Sequence, residues 1–264
     1  MSNNETKALA VLEQHKFELM PMSDDLKDII AEEMDGLGAV PFDIIKIPSG
    51  GGLSFEVPGE NEDNPIVATE LVGIIVDHHP VNALWMNEYD GSNNQPDCSS
   101  FDGKTAVDGN GECKSCANCP YNQFGTARNG GKGKACKNMH RIYILLGGQA
   151  IPTLLVLPPS SIAAWRNYIG KKIVVKGKRP YMVLTKVTLK KEKNEGGIAY
   201  SQAVFTKVAD LTPAECAEIK PMVDGFKAMT RSVAMQSADT FAVDVEGSAQ
   251  GGFEELDGDE NPFA

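Results

Sequence analysis

No stretch of this chain approaches the roughly 18 consecutive apolar residues that a membrane helix needs, so no spanning helix is expected anywhere in its 264 residues. The opening MSNNETKALAVLEQHK has no charged segment leading into an apolar core and cleavage site, and it does not read as a secretory signal. A cytoplasmic setting follows as the expectation, and there clustered cysteines favour a metal over disulfides. Catalytic signatures are missing too: no phosphate-binding Walker loop, no nucleophile elbow, no H-E-x-x-H and no paired carboxylates in a sensible context. The glycines at 50–52 lack the Lys-Ser/Thr that a phosphate loop requires. The chain is therefore not expected to be an enzyme. Aromatic residues are scarce, at 7%, so any surface that uses rings must use few of them.

Basic charge is absent from the last part of the chain. From Ser237 to Ala264 there is no Lys or Arg, only carboxylates, closing on the apolar pair Pro262-Phe263. A stretch of that composition cannot bury enough apolar surface to fold alone, and it reads as a solvated, disordered acidic tail. Between Cys98 and Val208, by contrast, 18 Lys and Arg face 5 Asp and Glu, although the whole chain carries a net charge of -11. A basic middle between acidic ends is the footprint of polyanion binding.

Hydrophobic patterning supplies the framework. Residues 1–40 read as an N-terminal helical segment, with Ser23 capping a short helix that carries Leu26, Ile29, Ile30 and Met34 at helical spacing. Strands are expected at 42–47, 53–57, 67–85, 141–146, 153–157, 171–176, 181–189 and 198–208. A helix fits 160–169, with Ser160 as cap and Gly170 as stop. Thr212-Pro213-Ala214-Glu215 opens a second helix over 211–236. The pattern predicts a mainly β (α+β) chain. Residues 41–210 would form a small β-barrel of the oligonucleotide-binding (OB) type, flanked by helices and followed by the tail at 237–264. A β-sandwich is the competing architecture.

The segment 91–140 has few large apolar residues and is too long for a plain loop in a compact domain. It holds five of the six cysteines: Cys98, Cys113, Cys116, Cys119 and Cys136. A C-x-x-C turn lets two thiolates hold one metal ion, and two further ligands complete a tetrahedron. Cys98, Cys116, Cys119 and Cys136 are the expected ligands of a structural Zn²⁺, with Cys113 and His140 as alternates. An iron–sulfur cluster or a set of free thiols are the other readings. Cys216 reads as an ordinary buried thiol, and His78 and His79 as structural.

Single strands of nucleic acid are bound by basic grooves with aromatic platforms. Tyr121, Phe124, Arg128, Lys132, Lys134, Lys137, Arg141 and Tyr143 supply such a set around the cysteine segment. Lys176, Lys178, Arg179, Tyr181, Lys186, Lys190 and Tyr200 continue it. On the strand at 181–189 and just beyond, Lys186, Thr188 and Lys190 share one face, Val187 and Leu189 the other. The bland alternative for each residue is a solvated lysine face over core aromatics.

Two stretches carry a resemblance. The tail GFEELDGDENPFA is similar to the acidic tails of bacterial and phage single-stranded DNA-binding proteins. The stretch PDCSSFDG…CANCPYNQFG…GKGKACKNMHR resembles a zinc-binding insertion found in phage proteins. Helix-destabilising proteins of T-even phages likewise combine an OB barrel, a zinc insertion and an acidic tail, with a His among their ligands. The resemblance implies a phage or prophage single-stranded DNA-binding protein of DNA replication or recombination, working in the host cytoplasm. Its tail, through Asp257, Asp259, Glu260, Pro262 and Phe263, would recruit replication and recombination proteins. A zinc-ribbon accessory subunit of a phage replication or transcription enzyme is the runner-up, and a nuclease or other zinc enzyme the third reading.

Overall fold

The computed structural model describes residues 15–20, 24–33, 35–36, 42–59, 65–87, 96–108, 113–128, 130–194 and 196–230. The acidic tail and its tip residues, Asp257, Asp259, Glu260, Pro262 and Phe263, lie outside the described residues. Within them, α1 (Asp24–Glu33) precedes three short strands, β1 (Ile44–Lys46), β2 (Phe55–Val57) and β3 (Ile66–Ala68). The long β4 (Glu70–Leu84) follows, then a ribbon of β5 (Cys98–Ser100), β6 (Thr105–Asp108) and β7 (Cys113–Ser115). The chain continues through β8 (Lys137–Leu146), β9 (Thr153–Leu157), α2 (Pro159–Tyr168), β10 (Val183–Lys193), β11 (Ala199–Asp210) and α3 (Pro213–Thr230).

Strand β4 organises the sheet. Along one edge it pairs antiparallel with β8 from Gly73 to Ala83. Along the other, Glu70 to Ile74 pair with β10, and Asn82 to Leu84 pair with β5. A register shift between Ile75 and Asp77 marks a bulge, and a bulge bends and twists a strand. The bend lets the two ends of one strand pair with different strands along the same edge. Pro80, which has no N–H to give, falls between the β10 and β5 pairings.

The expected closed OB barrel is not formed. Closure would require the free edge of β9 to meet β11. Instead β1 occupies that edge in parallel, with Ile44, Ile45 and Lys46 opposite Leu154, Leu155 and Val156. The only strand paired with β11 among the described residues is β10. Other groups cap its outer edge: the Ala203 N–H donates to Ser161 Oγ at 3.0 Å, and Ser201 Oγ donates to the Gly52 carbonyl at 2.8 Å. The result is an open, curled half-barrel of mixed parallel and antiparallel strands.

Each face of this sheet buries its own core. The inner face packs Ile75, Ile142, Ile144, Leu155, Val187 and Ala203 under Trp165 and Tyr168 of α2. The outer face packs Ile74, Tyr143, Leu145 and Leu154 under Ile219, Met222, Val223 and Phe226 of α3. Strands covered on both sides read as continuous apolar runs, as in Ile142 to Leu145 and Leu154 to Leu157. Helix α3 begins with the expected reciprocal cap: Glu215 N–H donates to Thr212 Oγ1 at 3.2 Å, and Thr212 N–H to Glu215 Oε2 at 2.7 Å. Near its end, buried Thr230 Oγ1 donates to Asp77 Oδ2 at 2.7 Å, tying the helix to the bulge.

Two expectations fail locally. Helix α2 starts at Pro159, and Ser160 is not its cap. Residues 171–176 do not form a strand: the chain passes from α2 into a π-turn (Ile169–Ile173) and a 3-10 turn (Val174–Lys176) that stops at Gly177, with φ of 67°. The apolar run Ile173-Val174-Val175 is not alternating, so nothing fixed a two-residue period there.

A Cβ at Gly73 would sit 2.5 Å from the Leu145 carbonyl oxygen and 2.6 Å from Ile144 Cγ1. Gly73→Ala is therefore expected to cost about 2–3 kcal/mol through overpacking. Phe226→Ala, which empties the centre of the outer core, should cost about 3–5 kcal/mol. Urea unfolding of each variant measures both; an unchanged midpoint for Gly73→Ala would show that the β4–β8 approach is looser than described.

Candidate interaction surface

The ribbon β5–β7 leans on the far end of β4. Here Cys98, Cys116, Cys119 and Cys136 line one pocket with Leu84, Ser100 and Asn122. Backbone bonds shape it: Cys116 N–H donates to the Lys104 carbonyl at 2.8 Å, and Cys136 N–H to the Tyr121 carbonyl at 2.9 Å. Asp102 caps the β5–β6 turn, accepting from the Lys104 and Thr105 N–H groups, each at 2.7 Å. Burial, followed by the neighbouring Cys119, Cys116 and Cys98, pushes the Cys136 thiol up to about 12. The four expected zinc ligands thus share a pocket wall. Yet among the described residues no group of three or more His, Cys, Asp or Glu is disposed to hold a metal ion. The expectation of a structural Zn²⁺ is corrected accordingly. Of the alternates, His140 lies in β8 and hydrogen-bonds through Nε2 to His78 Nδ1 at 3.0 Å, away from the thiols. Cys113 opens β7 opposite Val107, and its side chain lies outside the described residues.

The residues expected to bind single strands do not form one groove. Arg141, Tyr143 and Tyr181 are buried, with the Arg141 guanidinium 5.3 Å from the Phe101 ring. Burial also lowers the pKa of Arg141. Tyr121, Phe124, Arg128 and Lys132 are exposed on the cysteine segment, where the half-buried Lys134 lies 4.6 Å from the Phe124 ring centre. Lys137 is half-buried. On β10, Lys186 pairs with Glu70 at 3.4 Å and Lys190 with Glu192 at 2.6 Å. Tyr200 is half-buried on β11. The set is scattered over the cysteine segment, a turn and an edge hairpin, and no barrel-type nucleic-acid surface gathers it.

Inside the half-barrel lies a cluster that the sequence did not signal. His78 and His140 pack against Trp165, with ring centres 5.0 and 5.9 Å away, and Trp165 meets Phe205 at 5.0 Å. Tyr168 stacks on Phe205 at 5.7 Å and shares a 2.7 Å hydrogen bond with Thr185. Burial raises the Tyr168 pKa, so this hydroxyl stays neutral. These rings come from four elements, and only the sheet register brings them together.

Among the described residues the most exposed large apolar side chain is Val175, in the turn after α2. Val174 is 59% exposed and Val175 79%. Around them Lys171, Lys172, Lys176 and Arg179 are exposed. Part of this cationic character has a structural role, since Lys171 and Lys172 follow a helix C-terminus, where positive charge is stabilising. The base of the turn is fixed: Gly177 N–H donates to the Val174 carbonyl at 2.8 Å, and Lys178 Nζ reaches Asp210 Oδ1 at 2.8 Å. Lys207 holds Asp210 Oδ2 at 2.7 Å. Two apolar side chains held outward among cations are costly to leave in water, and this arrangement fits a ligand with both charge and apolar character.

No protein-family model matches the chain, no curated protein matches it, and no solved structure matches it. With an open half-barrel of mixed strands and no metal-holding group among the described residues, the identification as a phage-type single-stranded DNA-binding protein with an OB fold and zinc insertion is withdrawn. The functions that rested on it fall as well: single-strand binding with tail-mediated recruitment, and the zinc-ribbon accessory role. No described helix is long and apolar enough to cross a membrane.

The Lys178 and Lys207 hydrogen bonds hold the Asp210 pKa below its ordinary value of 3.8. A depressed carboxylate pKa means that the tether is present above the ordinary value and lost as pH falls through the lowered one. At neutral pH, Asp210→Ala should therefore speed tryptic cleavage after Lys176 and Lys178 several-fold. Equal cleavage rates would show that the turn does not depend on this tether.

Proposed function

We propose that this is a non-catalytic protein-binding module of the cytoplasm, whose turn at 171–179 docks an acidic protein segment carrying an apolar side chain. The observation that carries the reading is the exposure of Val174 and Val175 beside four exposed cations close in sequence on an anchored turn. An apolar anchor surrounded by charge is the anatomy of a small docking site: the anchor supplies affinity, and the charges supply rate and orientation. Carboxylates on the partner would meet Lys171, Lys172, Lys176 and Arg179, while its apolar side chain covers the valines. The anchored base holds the site in one geometry before binding, which lowers the ordering cost. The cytoplasmic setting suits a chain whose cysteines cluster as thiols, as Cys116, Cys119 and Cys136 do.

The test is fluorescence anisotropy of the full-length protein with a labelled acidic peptide ending in Pro-Phe-Ala, the composition found at 251–264. Saturable binding is expected, weakening as salt screens the exposed charges. Val175→Asp should reduce affinity about tenfold or more, roughly 1.4 kcal/mol. Replacing the peptide Phe with Ala should have a similar effect. If an oligonucleotide bound more tightly than the peptide, and Val175→Asp left that binding unchanged, the turn would be a general polyanion contact and the reading would fail.

A further inference from the structure

The thiol pocket has a geometry that separates its four cysteines into different chemical roles. Strands β5 and β8 flank β4 on opposite edges, with Cys98 opposite Leu84 and Lys137 opposite Ala83. Continuing that register by one residue would set Cys136 across Leu84 from Cys98, two interstrand spacings or roughly 9–10 Å between Cα atoms. A disulfide needs Cα atoms closer than about 7 Å, so the register does not favour a bond between Cys98 and Cys136.

Cys116 and Cys119 are arranged otherwise. They are the ends of a tight turn in which Cys119 N–H points at the Cys116 carbonyl, 3.4 Å away. The same carbonyl accepts from the Asn122 side-chain amide at 2.9 Å, and Gln123 Nε2 donates to the carbonyls of Ala117 and Cys119 at 3.1 and 3.3 Å. The ends of such a turn lie within about 7 Å of each other, which is inside disulfide reach. Cys119 is half-buried and Cys116 is buried, so Cys119 is the more open to an external reagent.

We propose that Cys116 and Cys119 form a redox-active dithiol that a low-molecular-weight disulfide oxidises to an intramolecular disulfide, while Cys98 and Cys136 stay reduced. The Cys119 thiolate attacks one sulfur of the small disulfide. An S–S bond forms to the protein, the reagent's S–S bond breaks, and one small thiolate leaves. The Cys116 thiolate then attacks the Cys119 sulfur, closes the protein disulfide and expels the second small thiolate. Two protein thiols lose two electrons and two protons, and the small disulfide gains them as two thiols. The bond would lock the turn that leads directly into the exposed rings of Tyr121 and Phe124.

The experiment uses the reduced, full-length protein in its native state. It is incubated with oxidised glutathione, alkylated, digested with trypsin and analysed by mass spectrometry. The tryptic peptide from Ser115 to Arg128 contains both cysteines and no other. It should lose two hydrogens and take no alkyl label, while peptides with Cys98, Cys136 and Cys216 are alkylated. Dithiothreitol should restore two labelled sites on Ser115–Arg128. Oxidation that joins Cys98 or Cys136 to another cysteine would overturn the assignment. So would a glutathione adduct that persists on Cys119. Thiols that react only after a chelator or denaturant is added would overturn it as well.

Discussion

Strand β4 joins three strands and both cores. Both its edges and both its faces are used: β8 lies on one side, β10 and β5 in succession on the other, α2 beneath and α3 above. A straight strand of 15 residues could not meet β10 at one end and β5 at the other within a compact body. The bulge at Ile75–Asp77 resolves this by bending the strand, and Thr230 of α3 then bonds to Asp77 at the bend. A packed helix thereby holds the curvature that both cores need. Gly73, just before the bulge, leaves room for the Leu145 carbonyl of β8.

The same bend explains why the sheet curls without closing. β1 occupies the edge of β9 in parallel, the Ala203 N–H on the outer edge of β11 is bonded by Ser161, and the Ser201 side chain ties β11 to Gly52. An exposed edge strand invites pairing with other chains. Side-chain capping and the lysines on the neighbouring β10 blunt that tendency without a closing strand. The open side leaves His78, His140 and Phe205 half-buried at the mouth of the inner core, rings that a closed barrel would have enclosed.

Much of the framework was legible because its signals are local. β9 matches the expected 153–157 span, the Thr212–Glu215 cap is built as read, and Lys186 and Thr188 face away from Val187 and Leu189. Chain closure was not legible, because it depends on which strand occupies the edge of β9. Nothing in Ile44-Ile45-Lys46 distinguishes a strand that pairs with β9 from one that pairs elsewhere. Composition also misled at the basic residues. Arg141 and Tyr143 alternate with apolar neighbours in a strand buried on both faces, so their polarity did not place them on the surface. The four cysteines converge on one pocket as their spacing suggested, but spacing carries no information on whether three sulfurs converge on a point.

The valine turn and the thiol turn have a common origin. Both arise where the chain leaves the sheet: one between α2 and β10, the other between β7 and β8. In each, backbone hydrogen bonds replace ladder pairing, and the side chains are freed from the two cores. Within the sheet, a valine beside a lysine is sorted to opposite faces, as Val187 and Lys186 are. On a turn no such sorting acts, and Val174 and Val175 remain among their cations because Gly177 and Lys178 fix the backbone that carries them. The interior of the molecule is committed to folding on both faces of its sheet. Among the described residues, these two excursions hold side chains in place without placing them in either core.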